Sequence, residues 1–341
     1  MNNSHAFCLS LFLCLPALAG AQPAATPARI NLDVLVTDKA GKPVADLEPM
    51  DFTLLDNGQP RKILGFRRTD GALGSRTEPP VEVIIVLDAV NLPYQAVTLQ
   101  RLGIEDFLRR NGGHLAQPAS IFLFSSDGLR VQPAPSKDGN ALAAALHQST
   151  GTVRAMATAA GDYGLAEQFT TSIQTLKGIA ENEARKPGRK MLIWIGSGWP
   201  WLLGPQFTKS TEGRQQHFQS IVDMSRMLRE ARISLYSTYS IVGLNSIAYE
   251  AYLKPITDPR KADASYLGLQ VLATQTGGRV LSSSNDVVGQ LVDCISDIGA
   301  YYTLSFAPPA AASPSEYHDL KVQASPAGST VRTSSGYYNQ P

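Results

Sequence analysis

The stretch VEVIIVLDAV, at 81–90, constrains the fold more than any other part of the chain. It is apolar nearly throughout and rich in β-branched side chains. A short apolar run without alternation fits a strand buried on both faces. Such strands belong to parallel sheets, whose crossovers lay helices against both sides. The chain then alternates. Strand patterns ASIFLFSS (119–126), KMLIWIGS (190–197), RISLYSTYS (232–240) and RVLSS (279–283) are separated by helix-periodic segments. These lie at 97–108, 138–149, 163–185, 217–231 and 265–278, and a last one runs over 287–298. A short strand LRVQ follows the turn at Asp127-Gly128. This order predicts an α/β unit over 81–300 with a doubly wound, mostly parallel sheet. Open sheets of that kind bind ligands beyond the carboxyl ends of their strands. Asp88, with the loop after it, is therefore the first candidate site.

Both flanks read as β structure. Ile30, Leu32, Val34 and Val36 alternate with other residues, the period of a half-buried strand. DFTLLDNGQPRKILGF (51–66) is the clearest hairpin, because Asn57-Gly58 accepts the positive φ angles of a type I′ turn. Three more strand patterns, YYTLSFAPP, HDLKVQAS and STVRTSSGYY, close the chain. Neither set can bury a core alone, and each would leave open edges. We expect residues 29–69 and 301–341 to pack as one small β-sandwich with the α/β unit inserted between them.

Residues 1–21 read as a signal peptide, with Ala17, Ala19 and Ala21 offering small-residue cleavage sites. Residues 22–28 and 70–80 read as linkers. An exported chain is expected, periplasmic or extracellular, with no membrane-spanning segment after cleavage. Cys8 and Cys14 leave with the signal, so Cys294 has no partner for a disulfide and is expected to be a buried, inert thiol. The net charge of +1 gives no bulk attraction to nucleic acid. The basic run RKPGRK (185–190) reads as a solvated loop.

VLVTDKAGKPVADLEPMDFTLLDNGQPRKILGF, VLDAVNLPYQ, KPGRKMLIWIGSGWP, LATQTGGR and the closing YYTLSFAPP, YHDLKVQ and VRTSSGYY occur in this order. Together they resemble the acidobacterial VWFA-related group of exported proteins, built on a von Willebrand factor type A domain. The resemblance spans residues 30–338. It implies a Rossmann-like fold and an exported location, and little about activity. Type A domains hold a magnesium or manganese ion through a D-x-S-x-S loop, a threonine and a further aspartate. Asp88 stands at the first position, but Val90 and Leu92 stand at the two serine positions. Ser197 stands where the second aspartate belongs, and Thr152 or Thr158 are candidates for the threonine. The candidate metal set is thus Asp88, Ser197 and Thr158 from the resemblance, with Asn91 added because its amide oxygen could serve as a ligand. One carboxylate among neutral oxygens makes a poor magnesium shell. The expectation is a degenerate site with no resident cofactor, with Asp88 capping a helix or bonding the loop backbone instead.

The same end of the sheet offers partner-binding candidates: Asp88, Asn91, Tyr94, Ser197, Trp199 and Trp201. Aromatic side chains in such loops anchor partners, but they also cover the ends of cores, and the sequence leaves both readings open for the two tryptophans. Enzyme signatures are weak. IGSGW lacks the first glycine of G-x-S-x-G, no phosphate-binding glycine loop follows a strand, and the histidines are scattered. Glu105-Asp106 reads as the wet face of a helix. The function expected is a non-catalytic binding or adhesion module for a protein or cell-envelope component. The alternatives are a metal-dependent adhesin using Asp88 and an exported hydrolase.

Overall fold

The computed structural model describes residues 29–150, 161–200, 202, 210–238, 247–281, 284–325 and 328–339. The first strands are β1 (Ile30–Thr37), β2 (Phe52–Asp56), β3 (Gln59–Arg61) and β4 (Gly65–Asp70). Strands β2 and β3 form the hairpin that Asn57-Gly58 encodes, with φ of 50° and 75° at the two turn residues.

The next segment holds β5 (Glu82–Asp88), α1 (Tyr94–Arg109), β6 (His114–Ser125), β7 (Gly128–Val131) and β8 (Ser136–Asp138). Then come α2 (Gly139–Thr150), α3 (Asp162–Glu183), β9 (Lys190–Ile195), α4 (Thr211–Glu230) and β10 (Ile233–Ser237). Helices α5 (Ile247–Leu253), α6 (Leu269–Gln275) and α7 (Val287–Ile295) complete it. The sheet order is β10-β9-β5-β6-β7, and β8 also pairs with β6. Strands β10, β9, β5 and β6 are parallel to one another, while β7 and β8 run antiparallel to β6. Val280 adds a single parallel bridge to Ser237 beyond β10, where the sequence suggested a strand. The helix expected over 265–278 is broken. Residues 264–267 form a 3-10 turn, and α6 starts only after Gly268 takes an extended conformation.

Every residue of β5 is buried. Its side chains alternate between two apolar clusters, because successive Cβ atoms point to opposite faces. Ile84 and Val86 pack with Phe169 and Leu176 of α3 and with Phe218 and Ile221 of α4. Val83, Ile85 and Leu87 pack with Ile104 and Leu108 of α1, Leu142 of α2 and Leu291 of α7. Helices therefore cover both faces of a mostly parallel sheet. Cys294, on α7, belongs to the second cluster, and burial pushes its thiol up to about 12.

The chain ends with β11 (Ala300–Phe306), β12 (Glu316–Ala324), β13 (Thr330–Arg332) and β14 (Gly336–Asn339). They form two separate antiparallel sheets with the first strands, in the orders β13-β1-β11-β4 and β14-β12-β2-β3. One apolar cluster joins these sheets: Leu32 and Val34 of β1, Phe52 and Leu54 of β2, Leu304 of β11 and Val322 of β12 among others.

Candidate functional site

The loop after β5 is built around the Asp88 carboxylate, which has no solvent exposure. Its Oδ1 accepts the backbone N–H groups of Val90 at 3.0 Å and Asn91 at 2.9 Å, an Asx-type turn. Its Oδ2 accepts Asn91 Nδ2 at 2.8 Å and the Trp194 indole Nε1 at 2.8 Å. The parallel register sets Trp194 of β9 opposite Val86 of β5, so the indole reaches the carboxylate that ends β5. Gly196 lies against Asp88 so closely that a Cβ there would sit 2.8 Å from the Asp88 Cβ.

The network continues into α3. Asn91 Nδ2 also donates to Ser172 Oγ at 2.9 Å, and Ser172 Oγ donates to the Gln168 carbonyl at 2.7 Å. Gln168 Nε2 returns a bond to the Val90 carbonyl at 3.2 Å. Ser197 Oγ donates to the Asn91 carbonyl at 2.5 Å. Four candidates from the sequence, Asp88, Asn91, Ser197 and Tyr94, thus lie in or beside one loop. Sequence reasoning missed Trp194, Ser172 and Gln168. One signal existed for Trp194: a tryptophan in a fully buried strand needs an acceptor for its N–H.

The Asp88 carboxylate, as it is held here, does not fit a divalent cation. Magnesium needs oxygen lone pairs turned toward it. Both Asp88 oxygens instead face N–H donors, whose partial positive charge opposes a cation. Val90 is buried in the core, and Leu92 packs against the opposite cluster. The Ser197 hydroxyl donates to the Asn91 carbonyl and keeps its lone pairs, but it brings no charge to replace the missing carboxylate. Thr152 and Thr158 lie outside the described residues. Asp88 does not cap α1 either, whose N-cap is Pro93 without a side-chain bond. It bonds the loop backbone, the other alternative left by the sequence.

Burial raises the Asp88 pKa, and the bonds from Trp194 and Asn91 only partly oppose that rise. The folded state holds its proton to higher pH than the unfolded chain does, so stability falls as pH climbs from the ordinary aspartate range toward the folded value. Asp88→Asn removes this contribution. Urea unfolding from pH 4 to pH 8 should show a flatter stability profile for the variant than for the parent over the lower part of that range.

Trp199 is fully buried and presents no surface to a partner. Its ring meets Trp194 edge-on at 5.2 Å and Phe169 at 6.3 Å, so it covers the end of the core. Trp201 lies outside the described residues. Tyr94, by contrast, is 60% exposed at the start of α1. Glu105 does not lie on a wet face. It is buried, and it binds Arg101, together with Arg109 at 3.1 Å and His147 at 3.3 Å. Burial pushes its carboxyl up, but these partners prevail and hold it below the usual glutamate range. A second acid–base contact joins His318 Nδ1 to Asp56 Oδ1 at 2.6 Å, with Tyr337 donating to Asp56 Oδ2 at 3.0 Å. His318 is 4% exposed and Asp56 is 0% exposed, which closes this pair to a substrate in the present conformation.

No family model and no curated protein matches the chain. Similar solved structures include the human COPII-coat protein Sec24c, at 10% identity and a TM-score of 0.35, covering 81% of this chain and 46% of that one. Another is the pilus adhesin SpaC from Lactobacillus rhamnosus GG in its open conformation, at 10% identity and a TM-score of 0.36, covering 87% and 49%. The chain thus spans about half the length of either protein. A third is the SpRpn10 VWA domain, at 12% identity and a TM-score of 0.30, covering 64% of this chain and 96% of that one. At such scores the likenesses carry no argument about function.

Proposed function

We propose that this chain is an exported, non-catalytic binding module, a VWFA-related protein whose doubly wound type A unit is inserted in a sandwich formed by residues 29–69 and 301–341. In this reading it grips a protein or cell-envelope component through the carboxyl end of the parallel sheet, without a resident metal. The observation that carries the reading is the state of Asp88. At the position where an open sheet presents its ligand site, the carboxylate is used up by four internal N–H donors, so it has no free oxygen for chemistry or for a cation. Exposed Tyr94 stands beside that loop at the start of α1, as a recognition anchor should. Among the described residues no helix is long and apolar enough to cross a membrane.

A metal-bridged adhesin is favoured by one observation. Asn91 Oδ1 is buried without a hydrogen-bond partner, an oxygen that a cation could use. One experiment separates the two readings. Binding of the labelled chain to envelope fractions of its source cell is measured with EDTA and with magnesium, beside Tyr94→Ala. The proposal expects saturable binding that ignores EDTA and that weakens roughly thirtyfold in the variant, the effect of one aromatic anchor. Binding lost in EDTA and restored by magnesium would establish the metal-bridged reading. Saturable binding indifferent to both would place recognition elsewhere on the molecule.

A further inference from the structure

We infer that the cleft between the α/β unit and the terminal strands is a binding site for one small oxyanion, held by the guanidinium of Arg229. The cleft lies at the amino end of the parallel sheet, where β10 begins at Ile233, and so far from the Asp88 loop. Its walls include Asn31 and Asp33 of β1, Ser225 and Arg229 of α4, Gln275 of α6, and Ser334. It offers ≈ 40 Å³ of free space, about the room that one phosphate or carboxylate group needs.

Charge decides what that space would take. The other arginines at this end of α4 are paired. Arg226 meets Asp223 at 3.4 Å and Glu230 at 3.7 Å, and Arg232 holds Asp33 at 2.6 Å. Asp33 is therefore already neutralised, by Arg232 and by a bond from Thr303 at 2.9 Å. Among the described residues Arg229 has no ion pair, and its Nε is buried without a hydrogen-bond partner. Burial lowers the pKa of this guanidinium, and Glu230 offsets only part of the effect. A half-buried unpaired cation is costly, and a planar guanidinium matches carboxylate and phosphate oxygens in two parallel bonds. Ser225, one turn before Arg229 on the same helix face, adds a hydroxyl donor to the same cleft.

The test uses the full chain in thermal unfolding and in isothermal titration. Sodium phosphate and sodium acetate are each compared with sodium chloride at equal ionic strength, for the parent, Arg229→Gln and Arg229→Lys. The expected result is a midpoint raised by roughly 5 °C at a hundredfold excess over Kd, with one ion bound. Whichever of the two salts acts identifies a phosphate-type or a carboxylate-type site. Arg229→Gln should lose the rise and, in chloride, unfold no lower than the parent, because it removes an unpaired charge. Arg229→Lys should retain a smaller rise. The inference falls if neither salt differs from chloride, or if Arg229→Gln keeps the full rise, which would be a general salting effect. Should Arg229→Gln fail to fold, absence of a binding heat with the parent alone would still overturn it.

Discussion

Asp88→Ala is expected to lower the stability of the fold by about 3–5 kcal/mol, while millimolar magnesium or manganese leaves both the parent and the variant unchanged. The size follows from counting orphans. Removing the carboxylate strands the backbone N–H groups of Val90 and Asn91, the Asn91 amide and the Trp194 indole, all in or beside buried structure. Each orphan costs about 1–3 kcal/mol, and partial relaxation and water entry keep the sum below the arithmetic total. Asp88→Asn keeps one acceptor oxygen and should cost less. Urea unfolding of the three proteins, with EDTA and with each metal, measures both halves of the prediction. A metal-dependent rise in the parent that vanishes in Asp88→Ala would mean that the loop rearranges to coordinate an ion. A loss under 1 kcal/mol for Asp88→Ala would mean that water replaces the carboxylate at little cost.

What could be read in the sequence was whatever local periodicity encodes. The unbroken apolar run at 83–87 announced a strand buried on both sides, and Asn57-Gly58 announced a hairpin, because each signal needs only neighbouring residues. The loss of oxygen at Val90 and Leu92 was equally plain. The partner of Asp88 was not. Trp194 lies far along the chain, and only the register of β9 on β5 brings the indole to the carboxylate. Glu105 was misread for a related reason. Its polar type suggested solvent, but α1 packs on α2 at that point, and the flanking arginines one turn away on either side pay its desolvation in place of water. The buried state of Trp199 depends on Trp194 and Phe169 together, a contact between a loop, a strand and a helix that no spacing rule contains. Alternation at Ile30–Val36 likewise said that one face was covered, without saying that β11, at the far end of the chain, would pair beside it.

Arg232→Met is expected to cost about 3–5 kcal/mol, because this side chain ties the terminal strands to the α/β unit through charges that cannot be left unpaired. Its Nε and Nη2 hold the two Asp33 oxygens at 2.9 Å and 2.6 Å, and its Nη1 holds Glu78, which Arg67 also binds at 2.9 Å. Glu78 is 4% exposed, and Asp33 takes a further bond from Thr303 of β11. Burial alone would lower the guanidinium pKa; Asp33 and Glu78 reverse this and raise it. The backbone shows how strongly the position is determined. Arg232 follows α4 with φ of 55°, the left-handed conformation that helix ends usually assign to glycine. An arginine there bears a cost of about 1–2 kcal/mol, which the ion network must exceed. Arg232→Gly therefore separates the two effects. It relieves the backbone and removes the charge, and should still lose about 2–3 kcal/mol. Calorimetry is expected to show one transition for the parent and two for either variant, since the strand unit and the α/β unit then no longer share this tie. Equal stability of Arg232→Gly and the parent would show that the two carboxylates find other partners, and that packing alone joins the units.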